Sequence, residues 1–197
     1  APSVGLPAVQ GLDAFDFGQV MEHVDSVVQG IYAHEQPNVF RDAGIDVYLP
    51  PSGAQFVNDR EIRVGDEVIE AEHTVISTGS SPRVLPTVGS DQPEMLTNET
   101  FWALREQPDA LMFLGGGVIA AELGQVMARF GSEVTIVDRN PRILKILDPE
   151  VQDVVIEVLL EDGVRMINNA NCTACGVGAQ GVNTVTVDQN GEKHSLE

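Results

Sequence analysis

Lysine is nearly missing from this chain: of 11 basic residues only Lys145 and Lys193 are lysines, set against 30 acids and a formal net charge of −19. Such a surplus repels polyanions, so nucleic acid and an anionic membrane face are excluded as partners. The acids are scattered and not gathered into a tail, which reads as a salt-adapted surface. Self-repulsion weakens a compact fold at low ionic strength and is screened at molar salt, where the Debye length falls to roughly 3 Å. A halophilic protein is the expectation, with an ordinary acidic one as the alternative. Cysteine is scarce too: Cys172 and Cys175 are the only two, too few for a disulfide framework. The chain has no run of about 18 apolar residues, and its start lacks the basic and apolar segments of a signal peptide. A cytoplasmic location is therefore expected.

What is present suffices for globular folding: 43% of the 197 residues are hydrophobic, enough to bury one good core or two small ones. Apolar residues recur at Val20, Met21, Val24, Val27, Val28 and Ile31, the three-and-four spacing of an amphipathic helix over residues 15 to 34. Short β-like runs follow at Ile45–Leu49, Ala54–Val57, Glu61–Val64 and Glu67–Ala71, which read as a small antiparallel meander. Thr74–Thr78 is a more apolar strand that runs into Gly79, Ser80, Ser81 and Pro82. Residues 83 to 96, with Pro86, Gly89, Ser90 and Pro93, have little periodicity and read as a connection between two domains.

Beyond it the pattern becomes strand, glycine turn, helix, strand: Leu111–Leu114, Gly115–Gly117, a helix to about Phe130, and Glu133–Asp138. A further helix over Asp148–Glu161, a strand at Val164–Ile167 and another at Val182–Val187 complete an α/β reading. Gly115, Gly116, Gly117, Val118, Ile119 and Ala120 fit G-x-G-x-x-G/A, placed after a strand and opening a helix. Asp138 closes the next strand, roughly 20 residues on, as a Rossmann-type dinucleotide fold requires. Gly115 permits the tight turn, Gly117 lets the backbone approach a pyrophosphate, and Ala120 permits close packing of helix on strand. The helix N-terminus supplies free N–H groups and a positive dipole end. The choice of nicotinamide cofactor is contested. Asp138 would accept from a ribose 2′-OH and repel a 2′-phosphate, whereas Arg139, Arg142 and Lys145 could hold that phosphate. The carboxylate tips the expectation toward NAD.

Two motifs together carry a resemblance. Thr74–Pro82 (T-V-I-S-T-G-S-S-P), followed about thirty residues later by Leu114–Glu122 (L-G-G-G-V-I-A-A-E), resembles the pyridine nucleotide-disulfide oxidoreductases, which include glutathione reductase, dihydrolipoamide dehydrogenase and mercuric reductase. The stretches Leu96–Thr100, Val134–Arg139 and Leu147–Glu150 look like this family too. Within it the region from Phe15 onward looks most like mercuric reductase-like and mycothione reductase-like members. The resemblance implies an FAD-dependent oxidoreductase in which hydride passes from NAD(P)H through the flavin to a disulfide or metal-ion acceptor, a small-molecule substrate. It places Ser77, Thr78 and Gly79 near the FAD, and puts Glu122 on the helix facing the flavin and nicotinamide rings. Where many members have a tyrosine that shields the nicotinamide pocket, this sequence has Val118. Residues 1–95 are then expected to be part of an FAD-binding domain that includes the meander, and 96–197 an NAD(P)H-binding domain lacking its last strand.

The family's own FAD glycine motif, its C-x4-C redox pair and its dimer-forming interface domain with a catalytic His are not found in the sequence. The chain is therefore expected to be an internal fragment of a homodimeric parent, with at most nucleotide binding of its own, and Leu196-Glu197 could be a vector remnant. A flavoenzyme without a redox disulfide, of the NADH oxidase or ferredoxin reductase type, is an alternative, as is a non-catalytic NAD(P)-binding module. The Cys172-Thr173-Ala174-Cys175 run has neither the family's gap nor a second Cys pair, so a structural role is expected. His23, His34, His73 and His194 have no companions at ligand or triad spacing, and no metal site is expected.

Overall fold

The computed structural model describes residues 16–84, 87, 89, 95–178 and 182–196. The helix start at residue 15, Pro86, Ser90 and Pro93 of the connection, Ala1 and Glu197 lie outside the described residues. The chain divides into two compact units: Glu22–Ser81, and the remainder, which holds Phe17, Met21 and everything described from Pro82 onward.

In the first unit, helix α1 (Phe17–His34) runs in from the other unit and is followed by α2 (Pro37–Asp42). The periodic pattern locates α1 to within two residues, but α2 is too short to show a period and is marked only by Pro37 at its first turn. A meander of β1 (Ala54–Phe56), β2 (Glu61–Val64) and β3 (Glu67–Glu70) follows, antiparallel and in sequence order. Its tight turns explain the register. Asn58 Oδ1 accepts from the N–H groups of Arg60 and Glu61 at 2.9 Å. Gly65, at φ +64°, opens the two-residue loop between Val64 and Glu67, the positive φ that primed hairpin turns require.

Two expected strands are not formed here. Ile45–Leu49 is irregular because neighbouring groups take up its backbone: Ile45 N–H donates to Phe40 O at 3.0 Å, and Arg41 donates to Val47 O at 3.2 Å. Thr74–Thr78 makes no ladder, and no strand among the described residues pairs with it; Val75 is 88% and Ile76 71% exposed.

The second unit contains two sheets. The parallel sheet is ordered β4 (Ala110–Leu114), β5 (Glu133–Val137), β6 (Arg165–Ile167), with α3 (Val118–Phe130) and α4 (Pro149–Glu161) as crossovers. The helices cover it through a core of Ala120, Ala121, Met127, Ile136, Leu159 and Val164, against which Phe17, Met21 and Phe101 also pack. Phe17 meets Phe130 edge-on at 6.2 Å. The antiparallel sheet is β7 (Ala170–Val177), β8 (Asn183–Gln189) and β9 (Glu192–Leu196). Sequence pattern finds only β8. In β7 a bulge between Cys172 and Ala174 breaks the alternation, and β9 is polar and almost wholly exposed. Val137, Ala170, Cys175, Val185 and Val187 form a second small core. The whole is α/β, a parallel sheet of the Rossmann type together with antiparallel sheets.

Candidate functional site

The glycine turn sits where β4 ends. Gly115, at φ +111°, donates to Val137 O at 2.8 Å and turns the chain out of the sheet. The middle glycine is the most constrained. Gly116 N–H donates to Asp138 Oδ2 at 2.5 Å, and its carbonyl accepts from Leu144 N–H at 2.6 Å. A Cβ on Gly116 would overlap the buried side chain of Ile143 and come within 3.0 Å of Asp138 Oδ2. A Cβ on Gly117, by contrast, would meet nothing within 4 Å, so the space in front of that residue is open to a ligand.

Gly117 is the N-cap of α3, and no side chain caps it. The first helical hydrogen bond runs from Ala121 N–H to Gly117 O at 3.1 Å, so the N–H groups of Val118, Ile119 and Ala120 precede the helix ladder. Aligned N–H groups and the positive end of the helix dipole give this turn the electrostatics that suit an anion. Ala120 is buried, which lets α3 lie close on the sheet, while Val118 and Ile119 are half-exposed beside the turn. A cleft of about 1000 Å³ runs along β4 past Gly115, Gly117, Val118 and Ile119, with Thr97 and Asn98 on its wall. Asp138 is not part of that cleft and lies behind the turn.

Asp138 is buried at the end of β5, yet all but one of its lone pairs are in use. Oδ1 accepts from Asn140 N–H and from Asn140 Nδ2, both at 2.6 Å, while Oδ2 accepts from Gly116. A carboxylate has about four acceptor positions, so one, on Oδ2, carries no hydrogen bond among the described residues. The three expected cations differ. Arg142 is ion-paired to Asp153, whereas Arg139 and Lys145 are exposed and make no ion pair among the described residues. Glu122 is exposed one turn into α3.

The structure thus brings together Gly115, Gly116, Gly117, Ala120 and Asp138. Ser77, Thr78 and Gly79 belong to the other unit, on the exposed run that follows the meander. Sequence reasoning missed Asn140 and Ile143. Asn140 stands two residues after the acid, the spacing of an Asx-type local bond, and so had a signal. Ile143 had none, since its role is to fill the space where Gly116 has no side chain. The four histidines are all exposed, and no group of three or more His, Cys, Asp or Glu suited to a metal occurs among the described residues.

A βαβ unit with a glycine turn at its first crossover and an acid closing the second strand defines a Rossmann-type protein. Residues 16–196 match the family described as pyridine nucleotide-disulphide oxidoreductase, and the chain belongs to it. It is 32% identical to a mercuric reductase of Staphylococcus aureus over 99% of this chain and 33% of that protein. It is 41% identical to a dihydrolipoyl dehydrogenase of Trypanosoma brucei brucei over 54% of this chain and 22% of that one. Among solved structures, an HOCl-induced flavoprotein disulfide reductase of Escherichia coli superposes with a TM-score of 0.72 at 28% identity, covering 92% of this chain and 41% of that chain. The chain spans about a third of the length of the curated relatives it matches. Among the described residues, no helix is long and apolar enough to cross a membrane.

Proposed function

We propose that this chain is the nicotinamide-nucleotide-binding portion of an FAD-dependent oxidoreductase whose acceptor is a disulfide or a metal ion, and that by itself it binds NADH without turning over an acceptor. The observation that carries the reading is the division of labour at the glycine turn. Asp138 and Leu144 hold Gly116 from both sides, while Gly117 borders open space and the N–H groups of Val118, Ile119 and Ala120 precede the helix ladder. Those N–H groups fit a pyrophosphate, and the remaining acceptor position on Asp138 Oδ2 fits one ribose hydroxyl. The bound nicotinamide supplies a hydride; the residues of this chain supply position and charge. Glu122, exposed on α3, is the residue we assign to the nicotinamide and flavin side. For the flavin, Ser77, Thr78 and Gly79 lie on one exposed run and form no cradle by themselves, so no step is assigned through them. In this reading residues 1–95 belong to the FAD-binding domain and 96–197 to the NAD(P)H-binding domain, within a cytoplasmic, homodimeric, salt-adapted parent.

NAD is favoured over NADP because a second carboxylate already occupies Arg142, leaving Arg139 and Lys145 to face a 2′-phosphate beside the negative Asp138. Similarity to a mercuric reductase and to a dihydrolipoyl dehydrogenase supports a metal-ion or disulfide acceptor. Calorimetric titration with NADH and NADPH at molar salt tests the proposal. Tight NADH and weak NADPH binding supports Asp138 as the ribose reader. The reverse order transfers that role to Arg139, Arg142 and Lys145, and binding of neither overturns the proposal. Disulfide-dependent NADH oxidation by the chain alone would contradict its second half.

A further inference from the structure

Nucleotide binding leaves Cys172 and Cys175 without a task. Residues three apart on a regular strand point to opposite faces. The bulge in β7 cancels that: Cys172 pairs with Val187 and Cys175 with Val185, two residues apart on β8. Thr173 is the extra residue, and both thiols end on one face. Their Sγ atoms lie 3.7 Å apart. Cys175 is buried in the small core with Val137, Val185 and Val187, and Cys172, Met95 and Met112 pack against the same cluster.

The surroundings select among the chemistries open to such a pair. Burial first, and then the neighbouring Cys175 thiol, push the Cys172 thiol up to about 12, and a thiol so reluctant to ionise reacts poorly with peroxides and disulfides. A tetrahedral zinc thiolate site, with legs of about 2.3 Å, has sulfur-to-sulfur edges of about 3.8 Å, close to the spacing found. Zinc needs four ligands, however, and no third donor completes the group among the described residues. What fits is an acceptor satisfied by two sulfurs that leaves no charge in an apolar site.

We propose that Cys172 and Cys175 form a binding site for a trivalent arsenical carrying one organic group. Each S–H gives its proton to one As–OH oxygen. Two As–S bonds form as two S–H and two As–OH bonds break, two waters leave, and arsenic and sulfur keep their oxidation states. The product is neutral, and the side chains of Met95 and Met112 offer polarisable apolar contact in the same cluster.

The test uses the folded 197-residue chain with phenylarsine oxide as probe, followed by intact mass and by counting thiols that react with a maleimide after denaturation. The proposal expects one equivalent bound to the native chain, both thiols protected, and release by excess ethanedithiol. Cys172→Ser and Cys175→Ser should each lose the protection. Circular dichroism reports whether both variants retain their β structure. Absence of an adduct on the native chain, an adduct formed only in denaturant, or an adduct undiminished in either serine variant would each overturn the proposal. Stoichiometric zinc binding by the same pair would overturn the two-donor assignment.

Discussion

Two apolar runs in this molecule end alike and fold differently. Leu111–Leu114 and Thr74–Thr78 are both short, contain consecutive apolar residues and are followed by glycine. The first becomes part of β4, paired along its length with β5 and covered by α3. The second stays extended with Val75 and Ile76 in solvent. Intrinsic preference does not separate them; the neighbours do. β5 stands beside β4 because α3, thirteen residues long, returns the chain in register, and no strand among the described residues does the same for Thr74–Thr78. A strand is a property of a pair, and its sequence states only a readiness to pair.

Substitutions can sharpen that contrast. The largest effect is expected at Ile136, fully buried in β5: Ile136→Ala should cost about 2–5 kcal/mol in urea unfolding, through lost burial and the cavity left behind. Next comes Gly116→Ala, whose added Cβ collides with Ile143 and crowds Asp138. Overpacking of this kind costs about 1–3 kcal/mol, and NADH affinity measured by calorimetry should fall together with stability, because the same collision displaces the turn.

A smaller effect concerns pH. Asp162, just past α4, accepts from Arg129 at 2.9 Å and from Gln125 at 2.7 Å, and the Arg129 bond above all holds its carboxyl below the usual carboxylate range. A lowered folded-state value stabilises the fold above the unfolded value, and that contribution is lost as pH falls through the folded one. Arg129 is 58% exposed, so screening limits the pair to about 0–1 kcal/mol. Arg129→Ala should lower neutral stability by that amount and reduce the acid-side slope of unfolding measured from pH 5 down to pH 2. The smallest effect is Ile76→Ala, where a side chain 71% exposed has little to lose: a change within about 0.5 kcal/mol is expected, and a loss as large as that at Ile136 would break the comparison.

The βαβ unit was legible because its signals are local and agree: a positive-φ glycine, a helix opening on Gly117 and an acid after the second strand. The meander was legible from its turns, at Asn58 and Gly65. β7 was not, since its bulge replaces alternation with an irregular pattern, and β9, Glu192–Leu196, has the composition of a surface loop. Of the site, the glycines and Asp138 could be named from spacing alone. That Asp138 Oδ2 is taken up by Gly116 could not, nor that Arg142 is already paired, because both depend on where the chain after β5 folds back.

The most direct test of the account is a ¹⁵N-resolved amide spectrum of the chain recorded as NADH is added at molar salt. The account predicts the largest shifts at the amides of Gly117, Val118 and Ile119, with Gly116 moving less because its N–H is already held by Asp138. Shifts that leave these amides unmoved, or that centre on another part of the chain, would contradict it.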